Sequence, residues 1–235
     1  MVNSVSSPER SHIMYVFPLA TPEARSTARQ TSQDAGRVIG ATTILFYEGD
    51  DAEALYEVVS GVFRATKVFP DGRRQVVAFA YPGDVIGFGH GDVYRFDCDA
   101  LTPARVQVTA RGDLKDAMRA RPELGEKLIN LAAAEIASMH DLSVLLCRKS
   151  AMERIAGFLL SLAIRTNKKA NDQRVCLPMC RADIADHLGL TIETVSRNMT
   201  KLKTRGIVDL PDRGCFVIRD LHRLQNLAES ESSVN

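Results

Sequence analysis

The run Arg181-Ala-Asp-Ile-Ala-Asp-His-Leu-Gly-Leu-Thr-Ile-Glu-Thr-Val-Ser-Arg-Asn-Met-Thr-Lys-Leu202 reads as two short helices joined by a tight turn. Ile184, Ala185 and Leu188 recur at helical spacing and give the first helix one apolar face. Gly189 follows, where a helix can stop because glycine accepts left-handed backbone angles. Thr191 is a good N-cap for the second helix, expected over Ile192–Arg205. There Val195, Met199 and Leu202 fall at i, i+4 and i+7 and face inward. Glu193, Thr194, Ser196, Arg197, Thr200 and Lys201 are left outside. A helix with such a polar face, set by a turn, suits the major groove of double-stranded DNA, where side chains read base edges.

The residues after this helix extend the pattern. Ile207-Val-Asp-Leu210 and Cys215-Phe-Val-Ile218 are short strand-like runs around Pro211-Asp-Arg-Gly214, a turn with proline early and glycine late. A hairpin directly after a recognition helix makes a winged helix-turn-helix. Arg213 at the hairpin tip has two readings, a phosphate contact or a solvated turn residue.

Charge is distributed to match. The whole chain carries only +1. Residues 147–223 hold fifteen Lys/Arg and eight Asp/Glu, a net of +7, while residues 1–146 carry −4 and residues 224–235 carry −2. Basic charge therefore gathers in the segment that would meet phosphates.

The 235 residues suffice for two modest domains. No apolar run of about eighteen residues occurs, so no membrane span is expected. Residues 1–10 lack a basic segment followed by an apolar core, so no signal peptide is expected and the location reads as cytoplasmic. Cys98, Cys147, Cys176, Cys180 and Cys215 are scattered without a paired CxxC, which disfavours a zinc site. No Ser/His/Asp arrangement, phosphate loop or metal signature points to an enzyme.

Residues 1–37 are polar and aperiodic and read as a flexible arm. Thr42–Tyr47, Ala54–Val59, Val62–Phe69, Arg74–Ala80 and Ala104–Val108 are short β-rich runs punctuated by glycine turns. Regularly spaced short strands indicate a small barrel or jelly roll over 38–112. Next, Leu124, Leu128, Leu131, Glu135, Ser138, Leu142 and Leu145 step alternately by four and three. That heptad seam over 113–149 reads as a parallel dimer interface or as one helix packing on its own domain. A dimer would set two recognition helices about 34 Å apart and call for a palindromic site. The winged helix-turn-helix occupies 150–235. The fold class is α+β: a β-roll, a long helix and a winged helix-turn-helix.

In this order the chain resembles the CRP/FNR family of bacterial transcription regulators, over nearly its whole length from Val38. The residues that carry the resemblance are Glu48-Gly-Asp50, Leu55-Tyr-x-Val-x-x-Gly61, Pro82-Gly-Asp-Val-Ile-Gly87 and Ala185-x-x-Leu-Gly-Leu-Thr-x-Glu-Thr-Val-Ser-Arg197. The resemblance makes the roll cyclic-nucleotide-binding-like and implies base contacts by Glu193, to cytosine N4, and by Arg197, to guanine O6 and N7. Ile192 and Ser196 match the FNR-like branch, with Ile192 packing on a thymine methyl, so the implied site is TTGA-N6-TCAA. Phosphate contacts fall on Arg181, Thr191, Thr194, Lys201 and Arg213. The segment Gly87-Phe-Gly-His-Gly-Asp-Val-Tyr-Arg95 lacks the family's phosphate-cassette glutamate and Arg-Ser pair, which argues against a cyclic nucleotide. No cysteine precedes Cys98, which argues against an iron–sulfur cluster. His12 and His90 are lone histidines, of a kind usually structural or solvated rather than haem ligands.

An FNR-like head with neither sensor resembles the FixK group of rhizobial and related bacteria, whose targets include microaerobic respiration and nitrogen-fixation genes. The expectation is a homodimeric activator that needs no cofactor or effector, partnered by double-stranded DNA, RNA polymerase and its own second copy. A roll that binds an unidentified small molecule is the alternative. Cys180, at the start of the first helix beside Arg181, is a redox candidate or simply a small cysteine at a helix start.

Overall fold

The computed structural model describes residues 36–87, 91–133 apart from 121, 124, 127 and 131, 149–166 and 173–229. Two four-stranded antiparallel sheets form the roll. One has the order β1-β8-β3-β6, from β1 (Arg37–Ile39), β8 (Ala104–Ala110), β3 (Ala54–Ser60) and β6 (Val85–Ile86). The other has the order β2-β7-β4-β5, from β2 (Ile44–Phe46), β7 (Asp97–Ala100), β4 (Phe63–Val68) and β5 (Arg74–Ala80). Val58, Val106 and Ile39 from the first sheet meet Phe63, Cys98 and Ala100 from the second in one core. Gly61 joins β3 to β4 at a φ of 85°, and a Cβ there would lie 2.5 Å from that of Ala104. Only glycine lets the β3–β4 turn pass this close to the start of β8.

The strand-like runs of the sequence reappear as β2, β3, β4, β5 and β8. Four strands are additional. β1 and β6 are very short, and β9 (Arg174–Cys176) has three residues. β7 reads Asp-Cys-Asp-Ala and looks like a loop by composition, yet it lies between β2 and β4. Its Cys98 and Ala100 fill the core, while Asp97 accepts the Glu48 N–H at 2.8 Å and Asp99 accepts a two-pronged bond from Arg64. Cross-strand polar partners thus replace the missing apolar alternation.

α1 (Leu114–Ala120) follows the roll, and the described residues between 122 and 133 are helical. Leu128 is buried within the single chain and Ile129 is exposed. Leu124, Leu131, Glu135, Ser138, Leu142 and Leu145 of the seam lie outside the described residues, as do the arm before residue 36, His12, His90 and Cys147. α2 (Ala151–Arg165) opens with a capping box: Ser150 Oγ accepts from Glu153 N–H, and the Glu153 carboxylate accepts from Ser150 N–H. Then come β9, α3 (Arg181–Leu188), α4 (Ile192–Thr204), β10 (Val208–Asp212), β11 (Cys215–Ile218) and α5 (Leu221–Glu229). The sheet order β10-β11-β9 makes the wing three-stranded. The expected turn Pro211–Gly214 is tighter than its composition indicates: Pro211 and Asp212 stay in β10, leaving Arg213-Gly214 to turn.

The second apolar core is not confined to the C-terminal half. Val76, Phe79 and Tyr81 of the roll are buried in one cluster with Phe158, Leu162, Ile184 and Leu188. His187 on α3 sits there too, edge-on to Phe79 and Phe158 at 5.1 and 5.9 Å. Its Nδ1 lies 3.1 Å from the Val76 carbonyl, which makes Nδ1–H the donor. Arg165 at the end of α2 reaches Asp84 at 2.7 Å and stacks over Tyr81.

Burial pushes the His187 pKa down to about 4, against the upward pull of its bond to Val76. The folded chain therefore keeps His187 neutral where an unfolded chain, near 6.5, takes up a proton. Its contribution to stability is intact above pH 6.5 and is lost as pH falls toward 4. Chemical melts of the wild type should lose up to about 3 kcal/mol over that window. A His187→Leu protein, less stable at neutral pH, should show a flatter dependence; an equally steep one would remove His187 as the cause.

Candidate nucleic-acid interface

α3 starts at Cys180, whose backbone is extended. Asp183, three residues on, accepts the Cys180 N–H at 3.1 Å, so an aspartate does the work of a capping glutamate. The same oxygen, Oδ2, accepts the Cys180 thiol at 3.1 Å. Its other oxygen, Oδ1, accepts Arg64 Nη1 at 2.5 Å and Arg74 Nη2 at 2.9 Å, both from the roll. Burial alone would raise the Asp183 pKa; the bonds from Cys180 and Arg64 outweigh it and hold the carboxyl below its ordinary range. Asp186, one turn further along α3, accepts Arg74 Nε at 2.7 Å. Gly189 ends α3 in the left-handed region, φ 63° and ψ 42°, and its N–H returns to Ala185 O.

Two residues later Thr191 caps α4. Its hydroxyl accepts the Thr194 N–H at 3.2 Å and pairs with the Thr194 hydroxyl at 2.9 Å. Val195, Met199 and Leu202 are buried, as their spacing demands. Ile192, Glu193, Ser196, Arg197, Thr200 and Lys201 form a continuous exposed face, with Thr194 half-buried at its edge. Among the described residues neither Glu193 nor Arg197 enters an ion pair, so both functional groups are available to an outside partner. Ile192 is 47% exposed.

The remaining residues singled out in the sequence lie around this face. Arg213 is exposed at the wing tip, where Asp212 Oδ1 accepts the Gly214 N–H and tightens the turn. Arg181 is half-buried, and its Nη1 is enclosed without a hydrogen-bond partner among the described residues; burial lowers its pKa from the usual arginine value. Cys180 is exposed rather than a buried small residue. Sequence reasoning missed Asp183, Asp186 and His187 as the groups that fasten α3 to the roll. Asp183 at the third helical position does carry a local capping signal, but nothing near it in the chain announces Arg64 or Arg74.

Residues 153–227 match the Crp-like helix-turn-helix domain and residues 37–121 the cyclic nucleotide-binding domain. Over 215 residues the chain is 41% identical to the nitrogen fixation regulation protein FixK of Azorhizobium caulinodans, covering 87% of each. The chain belongs to the CRP/FNR family of transcription regulators. It is a DNA-binding regulator of the FixK/FNR type, and the relatives it matches are regulators, not enzymes. The transcriptional activatory protein AadR of Rhodopseudomonas palustris is 39% identical over 80% of this chain and 79% of its own. The structure of FixK2 from Bradyrhizobium japonicum superposes with a TM-score of 0.74 at 37% identity, covering 85% of this chain and 98% of that one. No helix among the described residues is long and apolar enough to cross a membrane.

The family's roll implies a cyclic nucleotide, but the residues here do not fit one. Arg111 donates to the carbonyls of Gly91 and Gly87 at 2.6 and 3.0 Å, closing the segment on itself. Inside the roll Tyr94 stacks on Phe46 with ring centroids 3.7 Å apart, and its hydroxyl donates to Ala54 O.

Thr191→Ala removes the α4 cap and should cost about 1 kcal/mol of stability by denaturant titration. Thr191→Ser should restore most of it.

Proposed function

We propose that the protein is a homodimeric transcription activator that reads a palindromic TTGA-N6-TCAA site and recruits RNA polymerase without a bound effector. The observation that supports this most directly is the exposed face of α4, where Glu193, Arg197, Ser196 and Ile192 stand together on a capped helix whose other face is buried. Glu193 accepts from cytosine N4, and Arg197 makes two parallel bonds to guanine O6 and N7. Ile192 packs on a thymine methyl, which selects TTGA over TGTGA. Arg181, Thr191, Thr194, Lys201 and Arg213 contact phosphates and set the register without reading sequence. The leucine seam of Leu124, Leu128, Leu131, Glu135, Leu142 and Leu145 supplies the second copy. The reading divides the chain into an arm (1–37), a roll (38–112), a dimerisation helix (113–149) and a reading head (150–235), working in the cytoplasm where the DNA is.

The reading includes redox control at Cys180. Cys180 is exposed and lies at the start of α3, the first helix of the helix-turn-helix, one residue from Arg181. Peroxide oxidises the thiol to a sulfenic acid and is itself reduced to water; a second equivalent gives a negatively charged sulfinate. Added bulk or charge beside phosphate weakens docking.

Band-shift titration of ligand-free protein should favour TTGA-N6-TCAA over TGTGA-N6-TCACA; the opposite preference would overturn the branch assignment. Arg197→Ala and Glu193→Ala should each cost about 1–3 kcal/mol in binding and relax selectivity at one base pair. Lys201→Ala should weaken all sequences alike and shallow the salt dependence. Peroxide should weaken wild-type binding and spare Cys180→Ser; equal loss in both would remove Cys180 as the sensor.

A further inference from the structure

The joint between roll and head combines two kinds of contact. Val76, Phe79 and Tyr81 of the roll adhere to Phe158, Ile184 and Leu188 of the head through buried apolar surface. Such adhesion is non-directional and lets two bodies slide or rock. The ion pairs differ. Arg64 is fixed at its root by two bonds to Asp99, Nε to Oδ1 at 3.0 Å and Nη2 to Oδ2 at 2.9 Å, and reaches α3 with its remaining nitrogen. Arg74 spans Asp183 and Asp186, which lie one turn apart on the same face of α3. A planar guanidinium held at two or three points dictates direction as well as distance. Asp183 is 4% exposed in its side chain, so these bonds are shielded from competing water. Ile192, Glu193, Ser196 and Arg197 stay exposed while Asp183 and Asp186 of α3 hold the joint closed. The closed joint is therefore compatible with a head docked on DNA.

We propose that Arg64 and Arg74 are positioning residues for DNA recognition: they lock the angle of the reading head on the roll and so determine the half-site spacing that the protein accepts. This rests on the reading of the protein as a two-fold dimer on a palindrome. In such a dimer each head hangs from its own joint, and the distance and twist between the two α4 helices are set by the two joint angles. Each base pair added to the spacer moves one half-site about 3.4 Å along the duplex and about 35° around it. A joint locked through Asp183 and Asp186 cannot follow that rotation; one left with apolar surface, the Arg165–Asp84 pair and the His187–Val76 bond has fewer fixed directions and can.

The test is fluorescence-anisotropy binding of the full-length protein to duplexes TTGA-Nx-TCAA with x of 5, 6 and 7, and to a single TTGA half-site. Wild type should bind N6 at least roughly tenfold more tightly than N5 or N7, on the scale of a mismatched base pair. The Arg64→Ala/Arg74→Ala protein should lose most of that preference while keeping its TTGA-over-TGTGA selectivity and half-site affinity. Arg74→Lys, which keeps the charge but not the two-aspartate span, should lose part of it and serves if the double variant does not fold. Variants that retain the full wild-type spacer preference, with the ion pairs broken, would overturn the proposal. A wild type indifferent to spacer length would instead overturn the dimer-on-palindrome reading, and the proposal with it.

Discussion

Asp183 is the group on which the arrangement of the reading head turns. A carboxylate this deeply buried is costly unless every lone pair finds a donor. Here donors converge from two directions: the backbone and thiol of Cys180 from its own helix, and the guanidinium groups of Arg64 and Arg74 from the roll. The first pair starts α3 and so sets where the helix-turn-helix begins. The second pair ties that start to strands β4 and β5. Local helix geometry and domain placement are thus satisfied by one side chain, and neither can shift without uncovering charge. Cys180 touches the same carboxylate, which puts any chemistry at the thiol within reach of the joint.

Strand β5 belongs to both halves of the molecule. Ala78 is buried on the strand and Ala80 packs against the roll's core, while Val76 and Phe79 lie in the core that holds α2, α3 and α4. Mutual burial of this kind means that the head is not a bead on a string; it folds against a wall supplied by the roll. His187 marks the seam: neutral, enclosed by Phe79 and Phe158, and bonded to the backbone of β5. Within the roll, Tyr94 stacks on Phe46 and Arg111 donates to the carbonyls of Gly87 and Gly91.

Much of the reading head was legible in the chain because its determinants are local. The Thr191 cap, the left-handed Gly189 and the Val195–Met199–Leu202 stripe act within one or two helical turns, and each reappears in the structure as the spacing requires. The five strand-like runs of the roll were legible for the same reason. β7 was not, because Asp97 and Asp99 look like loop residues until the Glu48 N–H of a neighbouring turn and Arg64 of β4 satisfy them. β9 was not, because three residues carry no periodicity; it exists by pairing with β11. The wing turn shortened for a related reason, since pairing with β11 carries β10 through Pro211 to Asp212.

The amino-acid sequence by itself determined what the head presents: which residues of α4 face outward, which branch-specific pair, Ile192 and Ser196, stands among them, and that basic charge gathers in that half of the chain. The outward face follows from propensity, capping and period, which a short window contains; the branch assignment rests on the family resemblance and the charge on composition. Only the tertiary structure decided how the head is held. The partners of Asp183 lie 119 and 109 residues away in the chain, and the carbonyl that receives His187 lies 111 away. No spacing rule connects such positions; they meet because two sheets and four helices close around shared apolar surface, and only then does a buried carboxylate select its arginines.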